Sequence, residues 1–137
     1  MTYDKFVSEY LSKGLIQNQK SAIKDVERLL IRSIKDLKTA KAILKIDEAF
    51  AYTIAFSAML RAGRAFMLIK GFRPSDGYQH KTVVEFMNQV VGKEYHEIIE
   101  HFDRMRRKRN IFTYEIDVTI SYTEADNALR SGENLSL

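Results

Sequence analysis

The segment "AFAYTIAFSAML", residues 49–60, carries no charge and is apolar on nearly every side. An α-helix of that kind must be covered all round, so it belongs at the centre of a fold. A membrane span needs about 20 such residues, so the cover has to come from the rest of the chain. Little interrupts helices elsewhere, because the chain has one Pro and six scattered Gly.

The spacing of apolar residues predicts where those helices lie. A short first helix covers Tyr3 to Lys13 and stops at Gly14. A second runs from about Ser21 to Ile46, with Ile23, Leu30, Leu37 and Leu44 at intervals of seven and Val26 and Ala40 between them. The central helix begins at Asp47, a side chain suited to capping, and ends at Gly71. Its Ala51, Ala55, Ala58 and Ala62 form a stripe of small residues against which another helix packs closely. "GFRPSDG" reads as a loop. A fourth helix follows from Gln79 to Val91, and a fifth from Lys93 through at least Arg109. "SYTE" at 121–124 has the form of a capping box and starts a last helix reaching about Arg130. "FTYEIDVTI" alternates weakly, but a lone strand has no partner, so it is read as loop or helix extension. The small, polar "SGENLSL" is expected to be loose.

The expectation is one all-α domain, an up-down helical bundle of two long antiparallel helices and three or four shorter ones, its core spanning about residues 20–130. Without cysteine there is no disulfide scaffold, thiolate metal site or Cys nucleophile, and a reducing, cytoplasmic location fits. No secretory signal or membrane span is expected. The net charge of +4 permits a nucleic-acid partner without requiring one.

Residues 103–115, "DRMRRKRNIFTYE", are the least ordinary stretch. Five of the six residues from Arg104 to Arg109 are basic. Part of that charge follows from the helix alone: Glu94, Glu97, Glu100 and Asp103 precede the bases, which suits the helix dipole, and Asp103 and Arg107 are four apart. On a helical wheel, Tyr95, Ile98, Ile99, Phe102, Met105 and Phe112 define one apolar face. Arg104, Arg107 and Lys108 point away from it and Arg106 lies at its edge. Arg109 falls near its centre, where a Leu would be expected. A guanidinium there needs a carboxylate, a phosphate or a wet cleft; Asp47, Glu48 and Asp76 are the structural partners on offer. Arg61 and Arg64, the only charges between Ala49 and Ile69, face the same choice between ion pairing and the cleft.

The central helix, the "FRPSDGYQHKTVVEFM" that follows it and "RKRNIFTYE" together resemble the HEPN family of small prokaryotic helical domains. The family motif is an Arg, usually followed by a polar residue such as Asn, with a His four to six residues beyond. Arg109 and Asn110 match its first half, and Tyr114 stands where the His would be. The resemblance implies a homodimer in which two motif helices meet and two copies of Arg109 line one cleft. It also implies kinship with metal-independent ribonucleases of toxin–antitoxin pairs, whose partner is a small nucleotidyltransferase. That partner modifies a Tyr in some relatives; Ile116 occupies the equivalent position here.

The exchange of His for Tyr bears on activity. A histidine titrates near neutrality and serves as acid or base, whereas tyrosine titrates near 10. The expected function is therefore RNA or nucleotide binding with weak or absent ribonuclease activity. Arg109 and Tyr114 would be the reacting pair, and Asn110, Arg106, His80, Arg104, Arg107 and Lys108 the binding groups. His96 and His101 read as surface or packing residues. Three scattered histidines make no metal site, and no cofactor is expected. A non-catalytic protein-interaction module and a small-nucleotide sensor are the alternatives.

Overall fold

The computed structural model describes residues 1–75, 79–114 and 119–136, apart from the side chains of Gln79, Ser136 and residues 110–114. Helices carry it: α1 (Tyr3–Ser12), α2 (Ile23–Ile43), α3 (Glu48–Ile69), α4 (Gln79–Val90), α5 (His96–Tyr114) and α6 (Tyr122–Ser136). The protein is an all-α bundle. α2 and α3 form its long hairpin, and their antiparallel sense shows in two bonds. Ser21 Oγ donates to the carbonyl of Leu68 at 3.5 Å, and Ser33 Oγ to that of Ala58 at 2.8 Å.

The central helix is where its composition puts it, with α2, α4, α5 and α6 all packed against α3. Ala51, Ala55, Ala58 and Ala62 are each no more than 1 % exposed. Gly132 of α6 meets this small-residue stripe: a Cβ there would sit 2.6 Å from Leu37 Cδ2 and 3.7 Å from the Ala55 carbonyl oxygen. The α3–α4 approach is equally close, since a Cβ on Gly63 would come within 2.4 Å of Val83 Cγ1.

Most boundaries follow local chemistry. Asp47 Oδ1 accepts from the Phe50 amide at 2.9 Å and opens α3. The box at α6 is reciprocal: Ser121 Oγ accepts from the Glu124 amide at 3.1 Å, and Glu124 Oε1 from the Ser121 amide at 3.3 Å. Gly14 and Gly71, with φ of 70° and 89°, take the left-handed turns after α1 and α3.

Four expectations need correction. "GFRPSDG" is not all loop, because Phe72–Pro74 (β2) pairs antiparallel with Ile16–Asn18 (β1), Ile16 opposite Pro74. Two three-residue strands so far apart in sequence carry no periodic signal. "SGENLSL" is not loose through Ser136, because α6 continues there and Leu135 is buried. Ala128, Gly132 and Leu135 give that helix an inward face despite its polar composition. Ile23, at the head of the expected seam, is 69 % exposed; Val26, Ser33, Leu37, Ala40 and Leu44 face inward instead. The bond that Ser33 donates to the Ala58 carbonyl and the one that Asp36 accepts from Arg61 tie α2 to α3 in that rotation. Finally, Lys93–Tyr95 is a single 3-10 turn ahead of α5, which leaves Tyr95 exposed. Of "FTYEIDVTI", residues 112–114 continue α5, and 115–118 lie outside the described residues.

Candidate functional site

The site starts from the apolar face of α5. Ile99, Phe102 and Met105 are buried against the bundle, and the next residue on that line is Arg109. It is half-buried, and its guanidinium carbon lies 5.7 Å from the centroid of the Phe56 ring. Phe56, fully buried on α3, also packs against Phe102 at 5.6 Å between centroids. An arginine can occupy an apolar position in this way because its weakly hydrated, planar cation is attracted to an aromatic face.

Phe56 has a second polar neighbour. The His80 imidazole, in the first turn of α4, stands edge-on to the same ring, with centroids 5.6 Å apart. Burial lowers the His80 pKa from its ordinary 6.5, and the charges of Arg109, Arg64 and Arg106 lower it further. His80 (α4) and Arg109 (α5) thus meet at one aromatic ring of α3, and the charges of Arg64 (α3) and Arg106 (α5) also act on the imidazole. The neutral imidazole is the favoured form there, and a proton or an anion brought nearby alters that balance.

The rest of the basic run is divided among other tasks. Arg106 Nε donates to Asp103 Oδ1 at 3.0 Å, and Arg107 Nη2 lies 3.4 Å from Asp103 Oδ2, so one carboxylate steadies two of the cations. Lys108 reaches α6 and bonds Glu124, a contact the helical wheel did not suggest. Arg104 is exposed, and its charge acts on Tyr52 and His101 rather than on His80. Burial pushes the Tyr52 hydroxyl up to about 12, with Glu124 adding to the shift and Arg104 opposing it. An open groove between α4 and α5 carries both signs of charge, Lys81, Arg104 and Arg107 with Glu85, Glu100 and Asp103, and Arg106 is common to this groove and the His80 cluster.

The expected site residues therefore fall into groups. Arg109 and His80 meet at Phe56, and the charges of Arg106 and Arg64 act on His80 with that of Arg109. Arg61 does not, because it pairs with buried Asp36, which Arg32 Nε also approaches at 3.2 Å. Asp47 is occupied as a helix cap, and Asp76 lies outside the described residues. Asn110 and Tyr114 belong to α5, but their side chains also lie outside them. His96 is exposed, and His101 Nδ1 is 2.6 Å from Ser131 Oγ on α6, a packing role. Phe56 was the residue that sequence reasoning passed over, since nothing separates it from the other apolar residues of its helix. Among the described residues no group of His, Asp and Glu could hold a metal ion, and no helix is long and apolar enough to cross a membrane.

No family model matches the chain, and no curated protein matches it in sequence.

Proposed function

We propose that this chain is a small HEPN-type protein that binds RNA or a nucleotide through the cationic cluster around Phe56. In this reading it works as a homodimer, as one half of a toxin–antitoxin pair with a nucleotidyltransferase, and its metal-independent ribonuclease activity is weak or absent. One observation supports the reading above the others. After burial, the charges of three guanidiniums from two helices act on a single imidazole. A phosphate accepts hydrogen bonds from guanidiniums in two-pronged geometry, so cations gathered from two helices suit a phosphate-bearing ligand.

The test is equilibrium binding of a labelled single-stranded RNA, and of mononucleotides, over a salt series. Wild-type affinity should fall linearly with the logarithm of salt concentration. Arg109→Ala should weaken binding by tenfold or more and flatten that slope by about one. Equal affinity and slope in the two proteins would remove the cluster from the reading.

A second reading has its own observation. Ile23, Ile31 and Ile34 lie within a quarter-turn on the outer side of α2 and are 69, 56 and 41 % exposed. Such an apolar edge suits a protein-interaction module. Binding through it would be nearly insensitive to salt, which separates the two readings in the same experiment.

A further inference from the structure

We infer that the outer face of α2 is a docking surface for an anionic lipid bilayer, on which the protein seats peripherally with its isoleucines in the headgroup layer. The inference draws nothing from the Phe56 cluster and goes beyond the RNA-binding reading. Two separate observations fall on this one helix. The first is apolar: Ile23, Ile31 and Ile34 stand exposed along it. The second is charge. Residues 23–46 hold seven of the chain's 22 bases and three of its 18 acids, so the remaining residues balance at fifteen of each, and this stretch carries the whole net charge of +4. Two of its three acids are engaged within the fold. Asp36 is buried against Arg61 and Arg32, and the Asp25 carboxylate accepts from the Ala22 amide at 3.2 Å. Lys24, Arg28, Lys35, Lys38, Lys41 and Lys45 are all exposed.

The two features share one side of the helix. At about 100° per residue, Lys38 falls between Ile34 and Ile31 in angle, and Lys24 and Lys35 fall within about 40° of Ile31. The cations therefore border the isoleucines along a helix about 30 Å long. Other occupants account for only half of this. Protein interfaces are enriched in Trp, Tyr and Arg and depleted in Lys. Single-stranded nucleic acid stacks its bases on aromatic rings, and α2 has no aromatic residue. Aliphatic side chains bordered by lysines are what a helix lying in a membrane interface presents. The apolar groups enter the headgroup boundary, and the lysine stems lie along it with their ammonium groups at the lipid phosphates. Glu27, between Ile23 and Ile31 on the same side, opposes an anionic surface, which gives the test a second sign. Asp126 and Glu133 of α6 line a groove with Lys41 and Lys45, so the cations to test are Lys35 and Lys38, outside that groove.

Flotation of the full chain with vesicles of phosphatidylcholine and phosphatidylserine in equal parts, against vesicles of phosphatidylcholine alone, reads the binding. The chain should float with the anionic vesicles and stay behind with the neutral ones, and binding should fall as salt rises. Ile23→Ser and Ile31→Ser should each weaken it by about tenfold. Their helical circular dichroism should be unchanged, since both side chains are more than half exposed. Lys35→Gln and Lys38→Gln should each weaken it by about fivefold. Glu27→Gln should tighten it, a gain that loss of folding cannot imitate. Lys93→Gln removes an exposed lysine outside α2 and should change it little. No flotation with the anionic vesicles, equal flotation with the neutral ones, or an equal loss from Lys93→Gln would overturn the assignment. Loss through the lysines without loss through the isoleucines would make the face a track for any polyanion, RNA included, and would also overturn it. Binding of a protein partner through Ile31 by a chain that ignores vesicles would return the face to the protein-interaction reading.

Discussion

Arg109 and Phe56 divide their work unequally, and substitution should show it. Phe56 is among the largest fully buried side chains, touching Phe102, His80 and Arg109. Phe56→Ala should cost about 3–5 kcal/mol of stability, read as a lower denaturant midpoint, and should loosen His80 and Arg109 together. Arg109→Ala removes no comparable apolar bulk from the core, so its defect should appear in ligand binding with little change in midpoint. A large loss of stability in Arg109→Ala would mean that the cation's main role is structural. The sequence marked Arg109 because a cation interrupted an apolar stripe, a contrast visible in one dimension. It could not mark Phe56, whose part depends on which residues from α4 and α5 meet it. Arg61 and Arg64 looked alike for the same reason. Only the position of Asp36 on α2 sends one into an ion pair and leaves the other to join the His80 cluster.

At the scale of elements, close approach outweighs helix propensity. Alanine is favoured over glycine in a helix interior by about 1 kcal/mol. At Gly63, however, the added methyl would lie 2.4 Å from a Val83 methyl, and valine has little rotamer freedom to move aside. Gly63→Ala should therefore be destabilising by about 1–3 kcal/mol, measured by denaturant unfolding; a neutral or stabilising outcome would mean that α3 and α4 are less tightly apposed. At the start of α6, Ser121→Ala should cost about 0.5–2 kcal/mol through the lost cap. The helices were legible because their signals are local: an Asp before α3, a capping box before α6, a Gly after α1. The β1–β2 ladder and the inward face of the last turns of α6 were not, because both depend on partners distant in the chain.

Across the whole molecule, acidification should act in two stages. His101 is held below its ordinary 6.5 by burial first and then by the charge of Arg104, and His80 is lowered as well. The unfolded chain binds those protons more readily, so the stability they represent is full above the ordinary value and declines as pH falls below it. Glu124 is lowered from 4.5, chiefly by its bond from Lys108 and against the opposing effect of burial, with Ser121 helping. Its contribution is present above the unfolded value and is lost as pH falls through the lower folded one. Melting temperature followed by circular dichroism should stay level above about pH 7, decline through the histidine range, and decline again below about 4.5. His101→Gln should shrink the first step, and Glu124→Gln the second. A single decline confined to strongly acid pH would contradict the histidine part of this account.

The presence of only three histidines makes one measurement unusually direct. Proton NMR of the imidazole C2 resonances, titrated with adenosine monophosphate and with a short RNA, reports on His80, His101 and His96 separately. An anion seated among Arg64, Arg106 and Arg109 should shift the His80 resonance and raise its pKa, leaving exposed His96 unmoved. Bound RNA that leaves the His80 resonance and titration unchanged would contradict the account.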